Sequence, residues 1–125
     1  MSEIEKTTVP IVQMAKDNDE FRRVIMTGEQ TQVVLMAIPA GEEIGGEVHE
    51  GHDQLLMFVE GEGLAKIGDV EVSVKEGDLS FVPSGVFHNF RNTGAGALKL
   101  YTTYSPPEHD EGTEHHTKAD ADADH

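Results

Sequence analysis

Short apolar stretches alternate along the chain with breaks made of Gly, Pro, Asp or Asn. This rhythm predicts an all-β sandwich or barrel, because short strands need frequent turns built from residues that tolerate tight backbone. The expected strands are 22–27, 31–38, 46–49, 54–60, 63–67, 70–74, 79–82, 86–91 and 98–104. Gly68-Asp69 between Ile67 and Val70 is a two-residue hairpin signal. Val70, Val72 and Val74 alternate with Glu71 and Ser73, which gives that strand one wet face. The stretch from Val33 to Ile38 is apolar throughout. It calls for cover on both faces, from a second sheet or a partner subunit. Ahead of it, Ile11, Val12 and Met14 suggest a short strand or turn, with a weak helical turn near residues 17–21. No long stretch has a helical period.

Three regions follow: a lead-in over 1–18, a β-barrel domain over 19–107 and a tail over 108–125. The tail has no apolar periodicity and is rich in acids and histidines. It reads as an extended strap at Pro106-Pro107 followed by a largely disordered, acidic end. Its histidines, His109, His115, His116 and His125, are expected to be solvated.

A length of 125 residues with 37% apolar content supports one domain with a modest core. The absence of cysteine excludes thiolate ligands and nucleophiles, so a transition metal must be held by His, carboxylate or amide oxygen. Acidic residues outnumber basic ones by 24 to 9, for a net charge of −15. Nucleic acid and anionic membranes would be repelled. The charge fits an ordinary acidic protein with an acidic tail. It equally fits a halophilic surface that needs salt to screen its repulsion, and scarce lysine outside the tail leans that way. No apolar run of about 18 residues is present, and Met1–Pro10 lacks the pattern of a secretory signal. A cytoplasmic, soluble protein is expected.

The chemistry concentrates in two segments. In the first, Glu47 and His49 lie two apart on a strand and share a face. A turn at Gly51–Asp53 reverses the chain, and Gln54 opens the next strand on the same parity as Leu56 and Phe58. In the second, Pro83 and Gly85 suit a tight turn before His88, which shares a face with Val86 and Phe90. Three strands can therefore gather Glu47, His49, Gln54 and His88 at one point inside a barrel. Plainer readings stand beside this one: core histidines satisfied by hydrogen bonds, a solvated Glu47, and a Gln54 that only orients water. His52 is out of phase with His49 and follows a turn residue, so it belongs on the rim. Met36, Phe58, Phe90 and Tyr104 are barrel packing or pocket lining.

These segments resemble the cupin superfamily. Gly77, Pro83, Gly85, His88 and Asn92 match every defined position of its second motif. Gly41, His49 and Gly61 are in register with its first motif. Glu47 stands where that motif usually has its first histidine, and Gln54 where it has glutamate. The chain is similar to small single-domain cupins of the mannose-6-phosphate isomerase-like subgroup, which carry Glu-x-His followed by Asp-Gln. Their ends resemble Pro106-Pro107 through Thr117-Lys118-Ala119-Asp120 here, so the likeness runs from about residue 20 to 122. It implies a double-stranded β-helix (jelly-roll) barrel and pairing into homodimers.

Two histidines and one carboxylate suit iron(II), manganese(II) or nickel(II) with open positions, and zinc is a further option. The resemblance implies isomerisation, decarboxylation or dioxygenation of a small oxygen-rich molecule. A non-catalytic ligand- or metal-binding module is the alternative, since Asp53, His52 and Tyr104 are the only acid–base candidates near the pocket. Between Gly28 and Tyr104 the basic residues are Lys66, Lys75, Arg91 and Lys99. All are expected at hairpin ends or facing outward, which argues against a sugar phosphate.

Overall fold

The computed structural model describes residues 7–124. The main body is a sandwich of two antiparallel sheets, as the turn spacing predicts. Its elements are α1 (Ile11–Asp17), β1 (Arg22–Thr27), β2 (Gln32–Ile38), β3 (Asp53–Glu60), β4 (Glu62–Ile67), β5 (Val70–Lys75), β6 (Leu79–Val82), β7 (His88–Asn92), β8 (Leu98–Ser105), β9 (Glu114–His115) and α2 (Lys118–Ala123). One sheet runs β6-β3-β8-β2-β1-β9 and the other β5-β4-β7. The expected Gly68 hairpin joins β4 to β5 with Ile67 opposite Val70.

Alternation places the inner face of the large sheet in rows. Gln32, Tyr104, Gln54 and Val82 stand opposite one another across β2, β8, β3 and β6. Below them come Val34, Thr102, Leu56 and Ser80, then Met36, Leu100 and Phe58. All are buried, and the apolar members join Ile38, Phe90 and Leu98 in the main core. The first row is polar except for Val82, which sets up a mouth above a dry interior.

Four features differ from the sequence reading. The Ile11–Met14 segment is helical, because Ile11, Met14 and Ala15 share one face of α1. That face packs on Leu35 and Val59. Thus α1, within the same chain, supplies cover for the outer face of β2. The 46–49 stretch forms no strand. It makes isolated bridges, Glu43 to Arg91 and Glu47 to His88, which lay it along β7. The 70–74 strand buries Val74 but leaves Val70 63% and Val72 51% exposed, since β5 lies at the edge of its sheet.

The fourth concerns the tail. Residues 108–124 fold back on the barrel. Glu114 and His115 pair with Arg23 and Arg22 of β1. The Thr117 hydroxyl caps α2 by accepting from the Asp120 amide. Ala121 then enters the main core. Polar bonds hold this strap, which is why no apolar period announced it. His125 lies outside the described residues, as does Met1–Lys6, part of the N-terminal segment read above.

Candidate metal centre

Glu47 and His88 are positioned by backbone. The Glu47 amide donates to the His88 carbonyl and the His88 amide to the Glu47 carbonyl, both at 2.9 Å. A directly opposed antiparallel pair points its side chains to one face. Gly46, just before, makes room for the Phe87 ring: a Cβ there would lie 2.6 Å from Cζ. The Gly45 amide donates to the Asn89 side-chain oxygen at 3.0 Å, pinning the segment. The turn before His88 is tied to the first segment, with the Gly85 amide donating to the His49 carbonyl and the Ser84 amide to Asp53 Oδ1. Asp53 is thus committed to a turn.

One donor atom each from Glu47, His49 and His88 lies within 4.8 Å of the others. His49 Nε2 is 2.8 Å from Glu47 Oε2, and the two imidazole centroids are 5.1 Å apart. His88 Nδ1–H donates to the Val86 carbonyl at 3.0 Å, leaving its Nε2 as a lone-pair donor. The other His49 nitrogen, Nδ1, faces Glu108 Oε1 at 3.5 Å. Outer nitrogens held by carbonyl and carboxylate are the usual second tier behind metal-bound imidazoles. The group can hold a divalent metal ion.

Electrostatics agree. Burial alone would raise the Glu47 carboxyl, but the His49 hydrogen bond and the charges of His49, Arg22 and His88 outweigh it and hold it low. The Glu47 hydrogen bond raises His49 against the opposing effect of burial. Burial lowers His88, keeping it neutral and available as a ligand.

Gln54 is buried. Its Nε2–H donates to Thr102 Oγ1 at 3.0 Å, while its Oε1 is buried with no partner among the described residues. An orphaned amide oxygen is what a fourth, weaker ligand or a water-orienting group would present. Tyr104, opposite Gln54, packs edge-on against His49 with centroids 5.6 Å apart, and burial pushes its hydroxyl far up. Phe90 lies 6.2 Å from His88, with Phe58 behind it at 5.9 Å. Met36 is fully buried deeper in the core. His52 is half-buried at the rim, its nitrogens facing the carbonyls of Glu50 and Pro107.

The strap brings residues to which the sequence reading gave no role in the site. Glu108 Oε2 lies 3.2 Å from His52 Nε2 while Oε1 faces His49, so one carboxylate spans both. His109 packs edge-on against Tyr104 at 5.1 Å, and burial with the nearby Arg22 charge pushes it down to about 4. His115 is buried, its Nε2 2.9 Å from Asp124. Solvation therefore describes His116 alone among the described tail histidines. Arg22 is also buried, facing the barrel from β1. It precedes the Gly28–Tyr104 span that holds Lys66, Lys75, Arg91 and Lys99. The signal that could have found Glu108 and His109 was the Pro106-Pro107 pair, which aims the chain back after β8.

Residues 34–104 match the family described as Cupin domain. The chain is a cupin. It is similar to the uncharacterized protein YrkC of Bacillus subtilis, with 42% identity over 119 residues, covering 90% of this chain and 64% of that one. It is 36% identical over 65 residues to the Oxalate-binding protein of Thermotoga maritima, covering 52% of this chain and 54% of that protein. The chain thus spans under two thirds of these curated relatives. The crystal structure of BH2720 from Bacillus halodurans superposes with a TM-score of 0.92 at 43% identity, covering 93% of this cupin and 92% of that chain. Among the described residues no helix is long and apolar enough to cross a membrane.

Proposed function

We propose that this cupin is a small metalloenzyme acting on an oxygen-rich molecule. In this reading Glu47, His49 and His88 hold one divalent transition ion, with Gln54 Oε1 as a weaker fourth donor. The observation that carries it is the convergence of three donor atoms within 4.8 Å, behind which both outer imidazole nitrogens are already engaged. Two imidazoles and a carboxylate suit iron(II), manganese(II) or nickel(II) better than zinc, which favours closed four-coordinate sites. When bound, the ion supplies Lewis-acid polarisation of a ligand oxygen.

The remaining groups belong to the chain. Glu108 stands beside His49 and His52, an acid–base candidate in addition to Asp53, His52 and Tyr104. Tyr104, Phe90 and Phe58 back the donors with a dry wall. Isomerisation, decarboxylation and dioxygenation all remain open to such a site, because fold does not select chemistry. The buried Arg22 supplies an interior cation beyond the four basic residues weighed in the sequence. A non-catalytic binding module is the second reading, favoured by the description of the Thermotoga relative as a binding protein. A homodimer belongs to the proposal. It is supported by Leu55, Leu79 and Phe81, which lie 37%, 61% and 52% exposed on the outer face of β3 and β6, with β6 at a sheet edge.

Metal titration with Mn(II), Fe(II), Ni(II) and Zn(II), read by bound-metal analysis after desalting, tests the centre. One ion per chain is expected, and His88→Ala should weaken retention at least about tenfold. Equal metal content in that variant would refute the site. Turnover of sugars, catechols and small carboxylates by the loaded protein then separates enzyme from module.

A further inference from the structure

We propose that Arg22 is the binding residue for a carboxylate group of this cupin's ligand. The inference rests on the metal-centre reading above and adds the ligand's chemical class.

Arg22 opens β1 opposite Met36 on one side and His115 on the other, so alternation turns its side chain inward. Only 3% of its surface is exposed. Its guanidinium lies 5.4 Å from the Phe21 ring centroid, and Nη1 makes one long contact of 3.4 Å to His115 Nδ1. Its Nε is buried and has no partner among the described residues. Among the described residues no carboxylate pairs with it within 4.0 Å. A guanidinium is charged at any physiological pH and offers five donors in a planar fork. Burying such a charge without an anion is costly, and structures pair it wherever they can. Among the described residues it has no anion beside it, and it faces space: a cavity of about 210 Å³ is bounded by Arg22, Glu108, His109, Asp110, Thr113, His115 and the α2 end.

The cavity adjoins the metal centre. Glu108 forms part of its wall and touches His49 and His52. His109 forms another part and packs on Tyr104, which packs on His49. The charge of Arg22 is felt at both Glu47 and His49. The wall's own acids do not answer Arg22. Glu108 is engaged with the two histidines, Asp124 bonds His115 Nε2, and Asp110 is exposed at the rim. One guanidinium among acidic walls suits a planar carboxylate bound through the fork, with any second carboxylate of the ligand answered by the metal ion. Inorganic phosphate would concentrate its charge on one tetrahedral centre beside Glu108 and Asp110, and a neutral polyol would leave the guanidinium charge unanswered.

The test uses Mn(II)-loaded protein and calorimetric titration with oxalate, its neutral analogue oxamide, and inorganic phosphate. Wild type should bind oxalate at least tenfold more tightly than either of the others. Arg22→Gln should lose tenfold or more in oxalate affinity with its manganese content unchanged, and Arg22→Lys should recover part of the loss. Oxalate affinity equal in wild type and Arg22→Gln would overturn the assignment, as would oxamide or phosphate binding as tightly as oxalate. If Arg22→Gln fails to fold, wild type and Arg22→Lys decide: a Lys variant whose oxalate and oxamide affinities match the wild type overturns it. A wild type that retains no manganese marks failure of the metal centre instead, a result read before any ligand is added.

Discussion

Gln32 is the buckle of the strap, and its removal should free the tail without touching the metal donors. This side chain is fully buried in the polar row at the barrel mouth. Its Nε2 donates to Thr27 Oγ1 at 3.0 Å and to the His109 carbonyl at 2.7 Å. Its Oε1 accepts from the amides of Glu108 at 3.2 Å and His109 at 3.0 Å. Gln32→Leu keeps the volume and deletes all four bonds. At about 1 kcal/mol net each, with relief where the freed backbone reaches water, the loss comes to about 2–4 kcal/mol. An unfolding entropy of about 2.1 cal/mol/K per residue converts that to a melting point lower by about 8–15 °C. Circular dichroism melts would read the shift, and hydrogen exchange would locate it. Amides at 108–109 should exchange much faster, while those of β3 and β8 keep their order relative to one another. A melting point within about 2 °C of wild type, with 108–109 still protected, would refute the claim that one amide fastens the strap.

His109 gives the strap a pH dependence. Burial, then the Arg22 charge, hold it at about 4 against an ordinary 6.5. The unfolded chain therefore binds its proton more readily, so the stabilising contribution is whole above about 6.5 and is lost as pH falls from there to about 4. Screening at a half-exposed ring cuts the full value of about 3 kcal/mol to about 1–2 kcal/mol. Chemical denaturation across this window should show a shallower slope for His109→Gln than for wild type, and equal slopes would contradict the burial argument. Sedimentation equilibrium should give twice the chain mass of 13.6 kDa, with Phe81→Glu returning the monomer; a monomeric wild type at about 0.1 mM would defeat the dimer.

What the sequence disclosed followed from alternation. The parity of Gln54, Leu56 and Phe58, and of His88 and Phe90, fixes which side chains face inward, and the structure keeps both sets inside. Glu47 and His49 were legible as a pair, although they sit on a bridged segment instead of a strand. Alternation failed where burial depends on position in the sheet: Val70 and Val72 follow the pattern yet lie on an edge strand. The α1 helix, at seven residues, is too short to display a period beyond Ile11, Met14 and Ala15. The strap was illegible for a different reason. Its order comes from Gln32, Arg22 and Glu20, residues some 75 to 95 positions earlier whose side chains say nothing locally about their partners.

The placement of the candidate site follows from an imbalance between the sheets. Six strands face three, and the bridged 43–47 segment extends the smaller sheet only partway toward β1 and β9. At the end left open, α2 sets Ala121 into the core and Lys118 beside Gly45. Residues 108–115, polar and acidic, complete the closure and leave a cavity where an apolar lid would leave none. A buried guanidinium, a carboxylate shared by two histidines and an amide oxygen without a partner among the described residues are found at this end of the sandwich. The same polarity that hid the strap from hydrophobic pattern is what equips it to line a site for a charged ligand.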